Sequence, residues 1–207
     1  MNEFQRAVLK LRLWPIRRYR DIGGWLSGRE ALALYRIARD LRPDARVLEI
    51  GSWKGKSTVC IARGLRGGAV YALDPFNAAT IPEGVHDPVK DRSLLEQFKG
   101  NLARFGVADR VQIRHGYSQD YAGTFDALDF LFIDGDHTID GCRYDYETYG
   151  PVVKPGGWLA FHDYRPEHGY GPGFVVDALI RPSADWRFAG QHDSIVVFQR
   201  AASVGAA

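Results

Sequence analysis

Acidic and imidazole side chains are concentrated in two short segments in the second half of the sequence. They are Asp134, Asp136 and His137 in the segment IDGDH, and His162 and Asp163 in the segment FHDY. Each segment follows a run of apolar residues, and the carboxyl ends of neighbouring parallel strands meet at one edge of a sheet. These side chains are therefore expected to converge, in a place where carboxylates can bind a cation and an imidazole can accept a proton.

A divalent cation held by Asp134, His162 and Asp163 is the first prediction from this pattern. Carboxylate oxygens favour Mg²⁺ or a similarly hard ion, whereas imidazole suits softer metals. Two interpretations of His162 stay open: either the metal differs from Mg²⁺, or His162 is an acid-base group that faces the substrate. The alternative without a metal is that Asp134 and Asp163 only cap the loops in which they lie.

A glycine-rich segment, EIGSWKGKST, follows the first apolar run and occupies residues 49–58. Part of it is similar to a phosphate-binding P-loop, so a nucleotide hydrolase is kept as an alternative function. A P-loop has four residues between its glycines, however, and only three separate Gly51 from Gly55. The G-x-G-x-x-G signature of dinucleotide-binding dehydrogenases is absent as well.

The elements that position these residues alternate between short apolar runs and helical stretches from Arg46 onward. The runs are VLEI at 47, AVYAL at 69, VQIRH at 111, LDFLFI at 128, WLAFH at 158, a run at 187–190 and SIVVFQ at 194. This alternation predicts βαβ units and a doubly wound α/β fold with a mostly parallel seven-stranded sheet. The last two runs leave no room for a crossover helix, so they are predicted to form a C-terminal antiparallel hairpin.

Residues 1–45 are predicted to form an N-terminal helical flank outside a domain of residues 46–200, and residues 201–207 a frayed tail. The flank contains an amphipathic helix over Phe4–Leu13 and a second helix that starts at a capping box of Ser27 and Glu30. Residues 1–46 carry eleven basic and five acidic side chains. We expect the flank to be solvated or to pack in a homodimer, with binding to a membrane surface or another partner as the alternative.

The stretch between Asp74 and Asp91 contains three prolines and has no clean helical period. A connection of this length is expected to be a lid or a binding loop. It is followed by a predicted helix from about Asp91 to Phe105. The four histidines outside the two chemical segments are interpreted as ordinary turn or surface residues: His86, His115, His168 and His192.

The overall composition excludes several classes of protein. With 45% apolar and 25% charged residues, the chain has the composition of a folded globular domain. Its net charge of +2 argues against a nucleic acid as partner. Cys60 and Cys142 do not suggest a disulfide framework, and no apolar stretch is long enough for an integral membrane segment. A cytoplasmic location is therefore expected.

The pattern E-x-G-x-x-x-G, formed by Glu49, Gly51 and Gly55, resembles the first motif of class I methyltransferases that use S-adenosylmethionine (SAM). This resemblance implies a Rossmann-like fold. The glycines would let the backbone approach the methionine part of the cofactor, and Glu49 could reach toward its cationic end. Trp53 and Ser57 lie in the same segment and are assigned to the same cofactor site.

Two later features extend the resemblance to the cofactor site. Asp74 ends the second apolar run, where a carboxylate can accept hydrogen bonds from both hydroxyls of a ribose. The segment GYSQD at residues 116–120 resembles the adenine-contacting turn of catechol-type O-methyltransferases. It implies that Ser118 and Gln119 hold the adenine edge; the alternative is that they cap the short helix that follows.

The segment IDGDH, together with KPGGWLAFHDY at 154–164, resembles the small O-methyltransferases of the catechol and macrocin types. The resemblance extends over residues 46–199 and places Asp134 at both the cofactor and the metal. The catechol type has a lysine as general base three residues after that aspartate, and His137 occupies this position here. The catechol type also has adjacent aspartate and asparagine where this chain has His162 and Asp163.

The resemblance therefore implies an enzyme that transfers a methyl group from SAM to a hydroxyl oxygen of a small molecule, assisted by Mg²⁺ or another divalent cation. His137 is the predicted general base, because a free imidazole, with a reference pKa of ~6.5, is largely neutral at pH 7. His162 is the alternative base. The competing functions are the P-loop-like nucleotide hydrolase and a non-catalytic SAM-binding partner protein.

Overall fold

A seven-stranded sheet forms the centre of the protein. The computed structural model describes residues 3–77, 93–165 and 170–202. The strands are β1 (Arg46–Ile50), β2 (Ala69–Asp74), β3 (Val111–His115), β4 (Leu128–Ile133), β5 (Val153–Phe161), β6 (Trp186–His192) and β7 (Ile195–Arg200). They lie in the order β3-β2-β1-β4-β5-β7-β6. The order reverses between β1 and β4, and the crevice outside the carboxyl ends of such strands is where ligands bind.

The first five strands are parallel to one another, and β7 runs antiparallel to both β5 and β6. The predicted doubly wound α/β fold, its mostly parallel sheet and its C-terminal antiparallel hairpin are therefore confirmed. The hairpin turns at Asp193, whose φ of 53° lies in the left-handed region that short turns between strands require.

Helices cover both faces of the sheet. They are α1 (Glu3–Arg12), α2 (Gly28–Asp40), α3 (Lys56–Gly64), α4 (Leu94–Arg104), α5 (Ile139–Tyr149) and α6 (Gly171–Phe174), which continues as a π-helix over Val175–Ile180. Side chains of α2, α3 and α4, including Leu34, Val59 and Phe98, form the core on one face. Cys142 and Val175 contribute to the core on the other face. Every residue of β4 is buried between these layers, which explains its nearly continuous apolar sequence.

Capping boxes define the starts of two of these helices. Ser27 and Glu30 exchange side-chain and backbone hydrogen bonds at the start of α2, as predicted. Ser93 and Glu96 form the same arrangement at α4. The helix predicted from about Asp91 therefore begins, within the described residues, at Leu94, because Ser93 is already the N-cap residue.

The N-terminal flank is attached to the rest of the protein through its second half. Helix α1 has no buried residues. Pro15 then stands at the start of a 3-10 helix, Trp14–Asp21, which contains three arginines and buries Ile16 and Tyr19. These two side chains pack with residues of α2 and with Cys60 of α3. The boundary between flank and domain at residue 45 stays a prediction.

Several predictions concern residues outside the described ranges. These are most of the lid between Asp74 and Asp91, the side chains of His86 and His168, and the tail beyond residue 202. Within the described ranges, Cys60 and Cys142 are both buried and unpaired. None of the helices in these ranges combines the length and the apolar content needed to cross a membrane.

Candidate active site

The glycine-rich loop after β1 is folded tightly against the end of β4. Gly51 has a φ of 88°, and a Cβ atom there would collide with the backbone oxygen of Asp134. Gly55 is the N-cap of α3, with a φ of 84°. Both conformations lie in the left-handed region that glycine adopts without strain. The motif therefore places the start of α3 and the ends of β1 and β4 around one crevice.

Replacing Gly51 by alanine is expected to lower the free energy of unfolding by about 3 kcal/mol or more, because strain at positive φ is added to a clash with rigid backbone. Gly106→Ala is the matched control: its φ is 63°, and a Cβ there would meet nothing within 4 Å. That change should cost only ~1–2 kcal/mol. Urea unfolding of the two variants measures the difference, and equal losses would contradict the close packing of the loop.

The position of Lys56 is a second difference between this loop and a P-loop, in addition to the spacing of the glycines. Its Nζ donates a hydrogen bond to the backbone oxygen of Gly24 at 2.5 Å and lies 5.7 Å from the ring centre of Tyr19. A P-loop lysine must reach the phosphates of the nucleotide. Here the ammonium group is occupied by the N-terminal flank, which agrees with the glycine spacing in disfavouring a nucleotide hydrolase.

Glu49 lies beneath the loop rather than in the crevice. It is fully buried, and its Oε2 accepts hydrogen bonds from the hydroxyls of Ser52, at 2.9 Å, and Thr58. Burial raises its pKa to about 7, against the hydrogen bonds of Ser57, Thr58 and Ser52, which lower it. The structure thus places Glu49 and Ser57 in one buried cluster. Direct contact of either residue with a cofactor stays a prediction.

Asp74 is the best-prepared carboxylate of the predicted cofactor site. It ends β2 with only 6% of its surface exposed. Its Oδ2 accepts a hydrogen bond from the backbone N–H of Trp53 at 2.8 Å, and its Oδ1 accepts one from Phe76 at 2.6 Å. Burial raises its pKa, while hydrogen bonds from the backbone amides of Trp53, Phe76 and Ser52 act in the opposite direction. A carboxylate has about four lone-pair sites, so it can still accept a hydroxyl.

The predicted adenine turn is fixed by a buried tyrosine. Ser118 is buried and Gln119 is exposed at the start of a short 3-10 helix, Ser118–Tyr121. The hydroxyl of Tyr149 in α5 donates a hydrogen bond to the backbone oxygen of Ser118 at 2.6 Å. Tyr117, rather than Ser118, is the N-cap residue of this helix. The capping role considered for Ser118 is therefore not present; its hydroxyl instead donates a hydrogen bond to Gln119 Oε1 at 3.4 Å. The adenine contact of both residues stays a prediction.

Asp145 is a further buried carboxylate, and it lies beside this turn. Its position was not predicted from the sequence. It is 2% exposed, and burial raises its pKa to about 6, although a hydrogen bond with Ser118 lowers it. The folded pKa lies above the ordinary value of 3.8. Stability from this group is therefore present at low pH and lost as the pH rises through about 6.

Asp145→Asn is accordingly expected to raise the free energy of unfolding by about 1–3 kcal/mol at pH 8 and to bring no gain near pH 4. Asp140→Asn, on the same helix with its side chain 90% exposed, is the matched control and should change little at either pH. Urea unfolding at both pH values gives the comparison. A gain at pH 8 that persists at pH 4 would show that the effect does not come from ionisation.

The three predicted metal ligands converge at the carboxyl ends of β4 and β5. Asp134, His162 and Asp163 each offer one ligand atom, and these atoms lie within 4.8 Å of one another. His162 Nδ1 is 3.1 Å from Asp134 Oδ1 and 3.2 Å from Asp163 Oδ2. Asp163 has a φ of 51°, a strained conformation that turns the chain sharply after the strand. The donor set of two carboxylates and one imidazole fits a divalent cation.

His162 is buried among acidic groups. Its side chain is 5% exposed, and although burial lowers its pKa, Asp134, Asp163 and Glu30 together raise the pKa to about 12. Its Nδ1 faces the two aspartates, and its Nε2 faces Glu30 at 3.7 Å. An acceptor hydroxyl would have to displace one of these carboxylates to reach the ring. The geometry therefore favours a ligand or structural role for His162 over that of a general base.

His137 occupies the open side of the same cluster. Its side chain is 47% exposed, and its Nε2 lies 3.5 Å from Asp163 Oδ2 and 3.9 Å from Asp134 Oδ1. It can therefore contact both the carboxylates and a molecule in the crevice. Asp136, by contrast, accepts a hydrogen bond from the backbone N–H of Thr138 at 2.8 Å and shapes the loop before α5.

Two residues of the N-terminal flank reach the site, and the sequence reasoning assigned neither of them to it. Glu30 lies behind His162, as described above. Trp25 is 62% exposed and stacks on Trp53, with ring centres 5.4 Å apart and planes at 19°. Trp53 itself has a φ of 43°. The flank thus borders the crevice on the side of the glycine-rich loop and of β5.

Comparison with known proteins agrees with this arrangement. The profile of a family described as a methyltransferase domain matches residues 48–164, which is more than half of the chain. The uncharacterized protein R132 of Acanthamoeba polyphaga mimivirus is 28% identical over 151 residues, which cover 70% of this chain and 62% of that protein. The chain therefore spans less than two thirds of the length of this relative.

Solved structures share the fold at low sequence identity. The O-methyltransferase TomG from Streptomyces achromogenes, in complex with SAM, is 19% identical with a TM-score of 0.65, over 97% of this chain and 91% of that one. An O-methyltransferase from Bacillus cereus, in complex with S-adenosylhomocysteine (SAH), is 20% identical with a TM-score of 0.63, over 94% and 90%.

The doubly wound sheet, the glycine turn after β1 and the carboxylates at the ends of β2, β4 and β5 are the features that the resemblance to class I methyltransferases implied. The chain belongs to the methyltransferase-domain family. The resemblance inferred from the motifs is thereby confirmed at the level of family and fold.

Proposed function

We propose that this protein transfers a methyl group from SAM to a hydroxyl oxygen of a small molecule, with the help of a divalent cation. The observation that carries the proposal is the position of Asp74 and the cluster of Asp134, His162 and Asp163 along one edge of the sheet. TomG, bound to SAM, and the Bacillus cereus enzyme, bound to SAH, have the same fold. Both are described as O-methyltransferases, which supports oxygen as the receiving atom.

The residues present fit the cofactor. Backbone amides hold the Asp74 carboxylate in place and leave it able to accept a ribose hydroxyl. The turn of Ser118 and Gln119 lies at the end of the next strand, β3, so ribose and adenine contacts would be adjacent. Gly51, Trp53 and Gly55 form the loop between these contacts and Asp134, where the methionine part of SAM would bind.

The residues also fit a divalent cation, which Asp134, His162 and Asp163 would hold. When bound, SAM supplies a reactive methyl group on its sulfonium, and the cation would orient the acceptor oxygen and make its proton more acidic. His137 would accept the proton of the acceptor hydroxyl as the oxygen bonds to the methyl carbon, the carbon–sulfur bond of SAM breaks and SAH leaves. The adjacent carboxylates of Asp134 and Asp163 stabilise the imidazolium that results.

Asp74→Ala is expected to weaken SAM binding by roughly 10- to 150-fold, because hydrogen bonds to a charged group contribute about 1.5–3 kcal/mol. Titration calorimetry with SAM measures the change. Asp44→Ala, at an exposed carboxylate before β1 with its side chain 73% exposed, is the control and should bind SAM like the unmodified protein. Unchanged affinity in Asp74→Ala would remove this residue from the cofactor site.

The acceptor, the location and the assembly complete the proposal. Formation of SAH with a panel of hydroxylated small molecules tests the activity, and amine or thiol acceptors test the choice of oxygen.

The cytoplasm is the proposed location, because Cys60 and Cys142 are buried free thiols in the described structure. A homodimer through the N-terminal flank is proposed because α1 leaves Phe4 and Leu11 exposed, and light scattering tests it.

A further inference from the structure

A buried carboxylate of the N-terminal flank lies directly behind the predicted metal ligands. Glu30, in the first turn of α2, is 4% exposed. Its Oε2 accepts a hydrogen bond from the backbone N–H of Ser27 at 2.7 Å. Its Oε1 accepts two more from Ser194, from the backbone N–H at 2.9 Å and from the hydroxyl at 2.7 Å. The carboxylate is therefore fixed from two sides, at the start of a helix and at the hairpin of β6 and β7.

The imidazole of His162 lies between this carboxylate and the two aspartates. Its Nδ1 faces Asp134 and Asp163 at 3.1 and 3.2 Å. Its Nε2 is buried and has no hydrogen-bond partner within the described residues. Glu30 Oε2 is 3.7 Å from this nitrogen, so a small rotation of the ring would complete a hydrogen bond.

Metal-binding histidines commonly donate their second ring N–H to a carboxylate, which fixes the tautomer and the orientation of the ring. A carboxylate in this role must itself be held in place. The three hydrogen bonds from Ser27 and Ser194 fix the carboxylate of Glu30, so it meets this condition.

Resting on the function proposed above, we infer that Glu30 is a positioning residue that accepts the Nε2–H of His162 and directs Nδ1 toward the cation. Imidazole binds Mg²⁺ weakly and first-row transition ions well. An imidazole locked in this orientation makes the cluster a site for a transition ion such as Mn²⁺ or Co²⁺ in preference to Mg²⁺. The N-terminal flank is then part of the active site.

Glu30→Gln tests this role, and Glu96→Gln is its matched control. Glu96 occupies the same capping-box position in α4, so its replacement removes an equivalent charge and helix cap. Titration calorimetry with Co²⁺, with Mg²⁺ and separately with SAM should show three results. The unmodified protein binds Co²⁺ more tightly than Mg²⁺, Glu30→Gln lowers Co²⁺ affinity by about 10- to 100-fold, and Glu96→Gln does not. SAM affinity stays the same in both variants.

The ring nitrogens of His162 give a second readout that needs no variant. The sample is the protein loaded with Zn²⁺ in place of Co²⁺. In its ¹⁵N NMR spectra, Nε2 should carry the proton and Nδ1 should be the nitrogen that binds the metal. A proton on Nδ1 in the Zn²⁺ complex, equal Co²⁺ affinity of Glu30→Gln and the unmodified protein, or a preference for Mg²⁺ would each overturn the inference. Failure of the unmodified protein to bind any of these ions, with SAM still bound, would overturn it together with the cation while leaving methyl transfer in place.

Discussion

Replacing Asp134 by alanine is expected to lower the turnover of methyl transfer by about 10²-fold or more, because a bound cation stabilises developing charge by several kcal/mol. Asp134 ends β4, and its Oδ1 lies 3.1 Å from His162 Nδ1 and 3.9 Å from His137 Nε2. The change removes one predicted cation ligand and one of the two carboxylates that contact both imidazoles. Initial rates of SAH formation measure it, and a strong chelator should have a comparable effect on the unmodified protein.

Asp136→Ala is the control for this prediction. Asp136 lies two residues further along the same loop, and its carboxylate accepts a hydrogen bond from the backbone of Thr138 rather than facing the cluster. We expect a smaller loss of turnover, with a modest loss of stability from the missing hydrogen bond to the backbone of Thr138. Full activity of Asp134→Ala in excess chelator would reduce the carboxylate cluster to a structural arrangement.

Replacing His137 by alanine should lower turnover by about 10²- to 10⁴-fold, the usual contribution of a general base. The side chain of His137 is 47% exposed and so is open to a molecule in the crevice, whereas the side chain of His162 is 5% exposed. The affinity for SAM should be nearly unchanged, because the change removes contacts with Asp163 and Asp134 and leaves Asp74, Ser118 and Gln119, the predicted ribose and adenine contacts, unaltered. His137→Gln, which keeps a polar side chain but cannot act as a base, should be as inactive as His137→Ala.

A role limited to the loop before α5 makes a different prediction for the two variants. If His137 only packs there, both substitutions would retain turnover and lose stability instead. Thermal unfolding therefore accompanies the rate measurements. If His137→Ala keeps the turnover of the unmodified protein while His162→Ala loses activity, the base has been assigned to the wrong histidine.

Much of the fold and of the chemical cluster could be predicted from local patterns. The apolar runs identified the strands because a sheet covered on both faces buries every residue of a central strand such as β4. The convergence of Asp134 and Asp163 followed from adjacency of parallel strand ends. The structure brings these residues together with His162, as predicted.

Glu30 shows where such patterns stop. The sequence identified it correctly as the last residue of a capping box, and this local role accounts for its residue type. Its contacts with Ser194 and His162 depend on how α2 packs against β5 and the final hairpin. Such packing joins residues far apart in the chain, so no spacing in the sequence could reveal it. The burial of this capping glutamate indicates a role beyond the helix cap, and only the structure shows that burial.

Glu49 illustrates the opposite case. Its place in the motif suggested a residue that reaches toward the cofactor, but its carboxylate lies with the hydroxyls of Ser52 and Thr58 beneath the loop. The motif identifies the position of Glu49 but does not distinguish contact with the cofactor from support of the loop above it. Only the burial of the side chain distinguishes these possibilities, and burial depends on the packing of α3.

Native mass spectrometry of the purified protein tests SAM-dependent methyl transfer most directly, because it does not require the acceptor to be known. The protein should retain SAM or SAH from the expression host, or bind one equivalent of added SAM in the presence of excess ATP. Asp74→Ala, folded to the same extent, should lose that species. Tight binding of ATP with no binding of SAM or SAH would contradict the proposed function and restore the nucleotide hydrolase.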